Sequence, residues 1–427
     1  MIRFLKYNFF IFIFIITFSL NAKDEIKIGI STFLSGGAAS SFGIPLKQGL
    51  EFMFKAINEG SVPAPYNTPG IAGKKVSFFF IDESGGSTKQ VAEFRNMVQR
   101  QKVDVVMGYI SSGDCLAIPS VADELKQLTV LIDCGTPRVF EESSYKYVFR
   151  TGPHAAMDNI AGALYLKRKG IVPKRVAAIN QNYAWGQDSW ADFKGSIDVI
   201  FNKPKIVSEQ FPKIFAGQYG TEISAIMVSR PDLIHSSLWG GDLESFIIQS
   251  NARGLFKNKT VFLSAADHVL PTLGKNIPDG VIIGARGPHG DLAPDTILAK
   301  WFKEKMSKEY NIKVTTQPMH KGAMAALFIK KAYDEAYLKL DKFPSNEEVI
   351  KFMEGMKWDT PSGEAKMALG NGHQAIQDQA IGKSKWNNDK KRVELVEIEY
   401  FKAKCVNPPE GVKSLDWIKN GFKGAEC

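Results

Sequence analysis

The chain lacks the fixed-spacing motifs on which most catalysts depend. Gly382-Lys383-Ser384 comes nearest to a G-x-x-x-x-G-K-[ST] phosphate loop, but Gln377 stands where the first glycine must be. H-E-x-x-H and G-x-S-x-G are absent, which removes the common zinc-hydrolase and serine-hydrolase signatures. The six histidines, His154, His235, His268, His289, His320 and His373, show no i, i+2 or i, i+4 pairing, so each reads as a structural or surface residue. His268 near Ser264 is the nearest approach to a base beside a nucleophile, and it leaves an exported α/β hydrolase as a remote alternative. Only four cysteines are present and none has metal-ligand spacing. No enzyme activity, metal or cofactor is expected.

Concentrated charge is also missing. The formal net charge of +9 is spread along the chain, with short runs such as 390–392 but no basic block interleaved with aromatics. Nucleic acid is therefore not an expected partner, and the mild excess at most favours the approach of small anions.

What is present begins with Arg3 and Lys6 ahead of an apolar run from Phe9 to Leu20 that ends near Ala22. Such a run is short for a membrane span and is flanked like an export signal, so residues 1–22 are expected to be removed and the rest to work in the periplasm. An uncleaved amino-terminal anchor is the alternative, because Leu20 suits the cleavage position poorly. Without Arg3 and Lys6, 52 basic residues face 45 acidic ones, a net of +7. No cysteine follows the run, so no lipid anchor is expected there. An oxidising compartment permits Cys115 to pair with Cys134 and Cys405 with Cys427, with buried free thiols as the alternative.

Short β-rich runs alternate with longer stretches of helical period, which predicts an α/β fold of two Rossmann-like lobes with parallel central sheets. The strand runs are 26–32, 76–82, 103–108 and 129–133 in the first half, then 175–180, 205–210, 232–238, 260–264 and 280–285. Helical patterns fall at 156–169, 185–200, 242–253, 295–310 and 319–340, and a β-rich stretch at 393–401 closes the chain. Ser87 with Gln90 reads as a capping box, and Asp114 as the cap of the next helix.

In open parallel sheets the carboxyl ends of the strands form the binding crevice, and helix starts there offer free N–H groups. The first strand lacks a dinucleotide fingerprint, since Gly36 and Gly37 do not make G-x-G-x-x-G. Hydroxyls and glycines stand in the later loops: Ser111 and Ser112 in YISSGDC, Gly135 and Thr136 in CGTP. They suit a carboxylate, although serine and threonine at helix starts also serve as ordinary caps. Tyr183, Trp185 and Trp239 follow strands of the second half, where flat faces can line a cleft or pack between layers.

The segments IKIGISTFLSGG with Phe42 and Gly43, GIAGKKVSFFFIDESGG, VDVVMGYISSGD, FRTGPH, NYAWGQD and NGHQA come in an order that resembles the periplasmic solute-binding proteins of ABC transporters. The similar family is the branched-chain amino acid and amide binders with the type I two-lobed fold. The resemblance implies three crossings between lobes, with residues 23–145 and 287–355 in lobe one and 146–286 and 356–427 in lobe two. It implies that Ser111, Ser112, Gly135 and Thr136 hold a ligand carboxylate beside Phe42, while Tyr183, Trp185 and Trp239 close from lobe two. Asp267, or the position of Ala266, would stand where amino acid binders keep an acid for the ammonium group. Ser84 and Ser111 stand about where some relatives have a bridging cysteine pair. The expected partners are a small carboxylate or amino acid and an inner-membrane permease, the expected state is a monomer, and a ligand sensor in a signalling system is the alternative.

Overall fold

The computed structural model describes residues 25–427; the expected export signal lies outside them. Ten of its strands alternate with helices in the first 284 residues: β1 (Glu25–Thr32), β2 (Lys75–Asp82), β3 (Val105–Gly108), β4 (Thr129–Leu131), β5 (Val148–Arg150), β6 (Arg175–Ile179), β7 (Lys205–Gln210), β8 (Leu233–Ser236), β9 (Thr260–Leu263) and β10 (Ile282–Gly284). Five more follow two long helices: β11 (Lys357–Thr360), β12 (Gly363–Leu369), β13 (Gln374–Gln377), β14 (Gln379–Asn387) and β15 (Arg392–Phe401).

They form two sheets. The first has the order β11-β12-β13-β5-β4-β3-β1-β2 and the second β15-β14-β10-β9-β8-β6-β7. Within each set of five early strands all pairs are parallel, and the late strands add antiparallel edges. The expected two-lobed α/β class is therefore the observed one. Parallel strands are covered by helices on both faces, which explains their nearly continuous Val, Ile and Leu.

The chain crosses between sheets three times: after β5, after β10, and at residue 378 between β13 and β14. The expected boundaries need correction at two of these points. β5 and the strands of 357–377 hydrogen-bond into the first sheet, whereas the resemblance places 146–286 and 356–427 in lobe two. A three-residue strand such as β5 is too short to show a period of its own.

The helix 317–340 lies against the helix 44–59 in the first lobe. Gly49 permits that approach, since a Cβ there would overlap the Met319 backbone. The expected caps near the first sheet do not form. Gly86 takes the cap position, Ser87 donates to Asp114, and Gln90 accepts from Ser31 while donating to the carbonyl of Asp82. Asp114 sits in the first turn rather than at the cap of its helix. Buried polar partners outcompete local capping at both places. Both cysteine pairs are joined, Cys115 to Cys134 and Cys405 to Cys427.

Candidate functional site

The carboxyl ends of both parallel sheets face each other across the gap between lobes. From the first lobe come Phe42 after β1, Ile110 and Ser112 after β3, and Asp133 and Gly135 after β4; from the second come Tyr183 and Trp185 after β6, Trp239 after β8, Ala265 after β9 and Arg286 after β10. Together they enclose a cavity of about 10 Å³, room for a single water. The lobes are thus closed on one another. Trp185 lies against Gly135, where any Cβ would collide with its ring, and the ring is fixed by a 2.7 Å bond from its Nε1 to the Ser237 carbonyl. Trp239 donates to the Tyr183 hydroxyl at 2.9 Å and meets Phe42 edge-on at 5.3 Å.

Arg286 sits where the chain leaves the second sheet and ties the crossing segments together. It bonds Asp133 of lobe one at 2.7 Å, Asp158 at 3.0 Å and the Pro153 carbonyl at 2.6 Å, and lies 4.7 Å from the Trp185 ring. Burial opposes its charge, but the two carboxylates outweigh burial and raise its pKa above the usual arginine value. Asp158 is pushed up to about 6, by burial first and against the pull of Arg286.

Beyond Tyr183 the gap opens into a compartment of about 320 Å³ lined by Phe33, Ser35, Glu83, Ser84, Ser87, Ser111, Asp114, Ile214 and Phe215 with four glycines. Glu83 Oε1 accepts 2.7 Å bonds from the N–H groups of both Ile110 and Ser111, so this carboxylate already takes two donors at the helix start. Its Oε2 is buried without a partner. Burial, then the neighbouring Asp114, raises the Glu83 pKa well above the carboxylate range, and burial raises that of Asp114.

Of the nine residues expected to touch a ligand, Phe42, Ser112, Gly135, Tyr183, Trp185 and Trp239 share the small cavity, and Ser111 lines the larger compartment. Two stand elsewhere. Thr136 turns its hydroxyl to Asp188 of lobe two at 2.6 Å, forming a latch across the gap. Asp267 lines a separate inter-lobe cavity of about 480 Å³ with His268, His289 and Thr316, and its Oδ2 accepts from the Gln317 N–H. Ala265, not Ala266, is the residue after β9 that faces the aromatic cavity. The N–H groups of Gly135 and Thr136, expected to hold a carboxylate, instead donate to the Ser112 hydroxyl.

Sequence reasoning missed Glu83, Asp114 as a lining residue, Arg286, Asp188 and the Phe33–Phe215 pair. Glu83 was findable, because it directly follows β2 at the carboxyl end of a parallel strand. Among the described residues no group of three or more metal-ligating side chains occurs, and no helix is long and apolar enough to cross a membrane.

Comparison with known proteins agrees with this architecture. The chain is 23% identical over 262 residues to the Leu/Ile/Val-binding protein homolog 4 of Brucella abortus, and the match spans 58% of this chain and 59% of that protein's length. A solute-binding protein of an ABC transporter from Rhodopseudomonas palustris BisB5, in complex with 3,4-dihydroxybenzoic acid, superposes with a TM-score of 0.76 at 21% identity, covering 89% of this chain and 98% of the other. A benzoate-bound solute-binding protein of R. palustris gives 0.75 at 18% over 91% and 99%, and a leucine-binding protein of Thermotoga maritima gives 0.69 at 19% over 87% and 98%. The periplasmic binding protein family model matches residues 25–391, so the chain belongs to that family, whose members bind solutes and are not enzymes.

Proposed function

We propose that the protein is the solute-binding component of an ABC importer, capturing a small carboxylate or amino acid between its lobes in the periplasm and delivering it, as a monomer, to a membrane permease. One observation supports this reading: aromatic faces and polar ends from both lobes converge on one narrow space at the sheet ends. The ligands named for similar proteins, benzoates and leucine, have the flat or branched body that such faces accommodate. In this reading the lobes rotate about the three crossings, and a solute that touches both shifts the population toward the closed form. Closure then presents both lobes to the permease.

Tryptophan fluorescence and calorimetry test it, because Trp185 and Trp239 both stand at the closing seam. A panel of amino acids, aromatic carboxylates and amides should contain at least one member that binds with a fluorescence change. Silence from every member would count against capture of this solute class.

A further inference from the structure

The larger compartment has a lining chemistry opposite to what a carboxylate ligand needs. Two acids, Glu83 and Asp114, are almost fully buried in its wall, and no lysine, arginine or histidine lines it. Two helix-start N–H groups that would greet a ligand carboxylate are already held by Glu83. Glu83 Oε2 receives no N–H or hydroxyl donor and has only the Asp114 carboxyl beside it, a poor setting for a buried carboxylate oxygen. Facing this acid wall are Phe33, Tyr183 and Phe215, aromatic surfaces of the kind that attract a cation.

Resting on the capture reading above, we propose that the solute carries a cationic ammonium head, and that this head seats against the Glu83–Asp114 carboxyl pair in the wall of the larger compartment. The apolar body then lies past Tyr183 toward Trp185, Trp239 and Phe42. This seat is in the first lobe, far along the chain from the acid expected after β9. The ammonium N–H groups donate to Glu83 Oε2 and Asp114. Burial favours a protonated acid in this pair, and the arriving cation favours loss of that carboxyl O–H, whose electron pair stays on the oxygen while the proton passes to solvent.

Every element packed around the pair fits one protonated acid. Asp82, next to Glu83, is held ionised by donors from Ser35, Leu34 and Ser84, so it adds negative charge rather than a proton. Ser87 donates to Asp114, and Tyr109 and Tyr183 stay neutral, each pushed up by burial first. Lys89 turns its Nζ to the Ser84 carbonyl at the exposed edge, and Glu93 on the same helix acts on Tyr109. Arg286, on the far side of Tyr183, is neutralised by Asp133 and Asp158. Like charges in a buried pair resist double ionisation, and an arriving cation removes that resistance.

Calorimetry on the purified protein near pH 7, in two buffers of different ionisation heat, uses benzylamine, benzamide, benzoate, isoamylamine, leucine and phenylalanine as probes. The amines should bind about tenfold or more tighter than benzoate, with release of about one proton per amine bound. Glu83→Gln and Asp114→Asn should each abolish the proton release and the preference for amines; a melting curve confirms that each variant is folded, and the second serves if the first fails to fold. If benzoate binds and the amines do not, this inference falls while solute capture stands. If the amines bind without proton release, or both variants keep the preference, the seat is wrong. If no probe binds the wild type, both readings fall.

Discussion

Replacing Asp267 by asparagine separates a ligand-binding acid from a buried one. Asp267 is enclosed between the lobes, and burial pushes its pKa up to about 8. An unfolded aspartate titrates near 3.9, so the folded chain holds a proton that the unfolded chain gives up. The sign follows: this acid costs nothing below about pH 4, destabilises progressively as pH rises to about 8, and costs a constant amount above that. At pH 7 the gap of about 3 units amounts to about 4 kcal/mol at 1.36 kcal/mol per unit. Asp267→Asn removes the titration and keeps the bond from Gln317 N–H to the side-chain oxygen, but places an amide where Oδ1 has no partner, offsetting about 1–3 kcal/mol. Urea unfolding at pH 5 and pH 7 should therefore show the variant gaining on the wild type by about 1.4 kcal/mol per pH unit, with a net gain of about 1–3 kcal/mol at pH 7. Solute affinity should stay within a factor of about two, because Asp267 does not line the aromatic cavity. Parallel pH profiles would refute the buried-acid account, and a loss of affinity beyond about tenfold would return Asp267 to the ligand site.

The other expectations concern closure and the core. Thr136→Ala removes the hydroxyl bonded to Asp188 across the gap, so it should weaken the closed form by about 1–2 kcal/mol, lower solute affinity about tenfold and increase the radius of gyration in solution scattering; no change in either would remove the latch. Gly135→Ala introduces a Cβ into the Trp185 ring at a position whose backbone tolerates alanine, so the fold should keep its melting temperature while closure and solute-induced tryptophan fluorescence are lost. Lys321 is fully buried, with its pKa pushed down to about 7 by burial against the attraction of Asp133. Lys321→Met should therefore stabilise the protein at pH 7 and below, with the advantage shrinking by about 1.4 kcal/mol per unit from pH 7 toward 10; an advantage that grows over that range contradicts the assignment.

Most of the architecture was legible because parallel strands announce themselves as apolar runs and the longer helices by their period. Observed limits match the expected ones at 205–210 and differ by one residue at 175–179 and 184–200. What failed depends on direction rather than position. After β9 the loop points Ala265 at the aromatic cavity and sends Asp267 toward the Gln317 N–H, more than forty residues onward, so counting along the loop could not tell which one faces a solute. Gly135 and Thr136 part in the same way, one facing the cavity and the other Asp188. Ser87 and Asp114 carry the right spacing for caps, yet they bond each other, because a buried carboxyl pair behind them demands donors.

The two spaces at the sheet ends impose an order on binding. A space of about 10 Å³ admits no benzoate or leucine, so the aromatic cavity as closed cannot be the first point of entry. The compartment of about 320 Å³ is large enough for a small solute and shares Tyr183 with the cavity. A solute body can reach Trp185 and Trp239 only if the Trp185 ring lifts off Gly135, which requires the Thr136–Asp188 bond and the Gly241–Gly37 contact between lobes to yield. The aromatic faces therefore form the seam of the closed form, and a solute seated between them must replace those contacts with at least equal area to leave that form favoured.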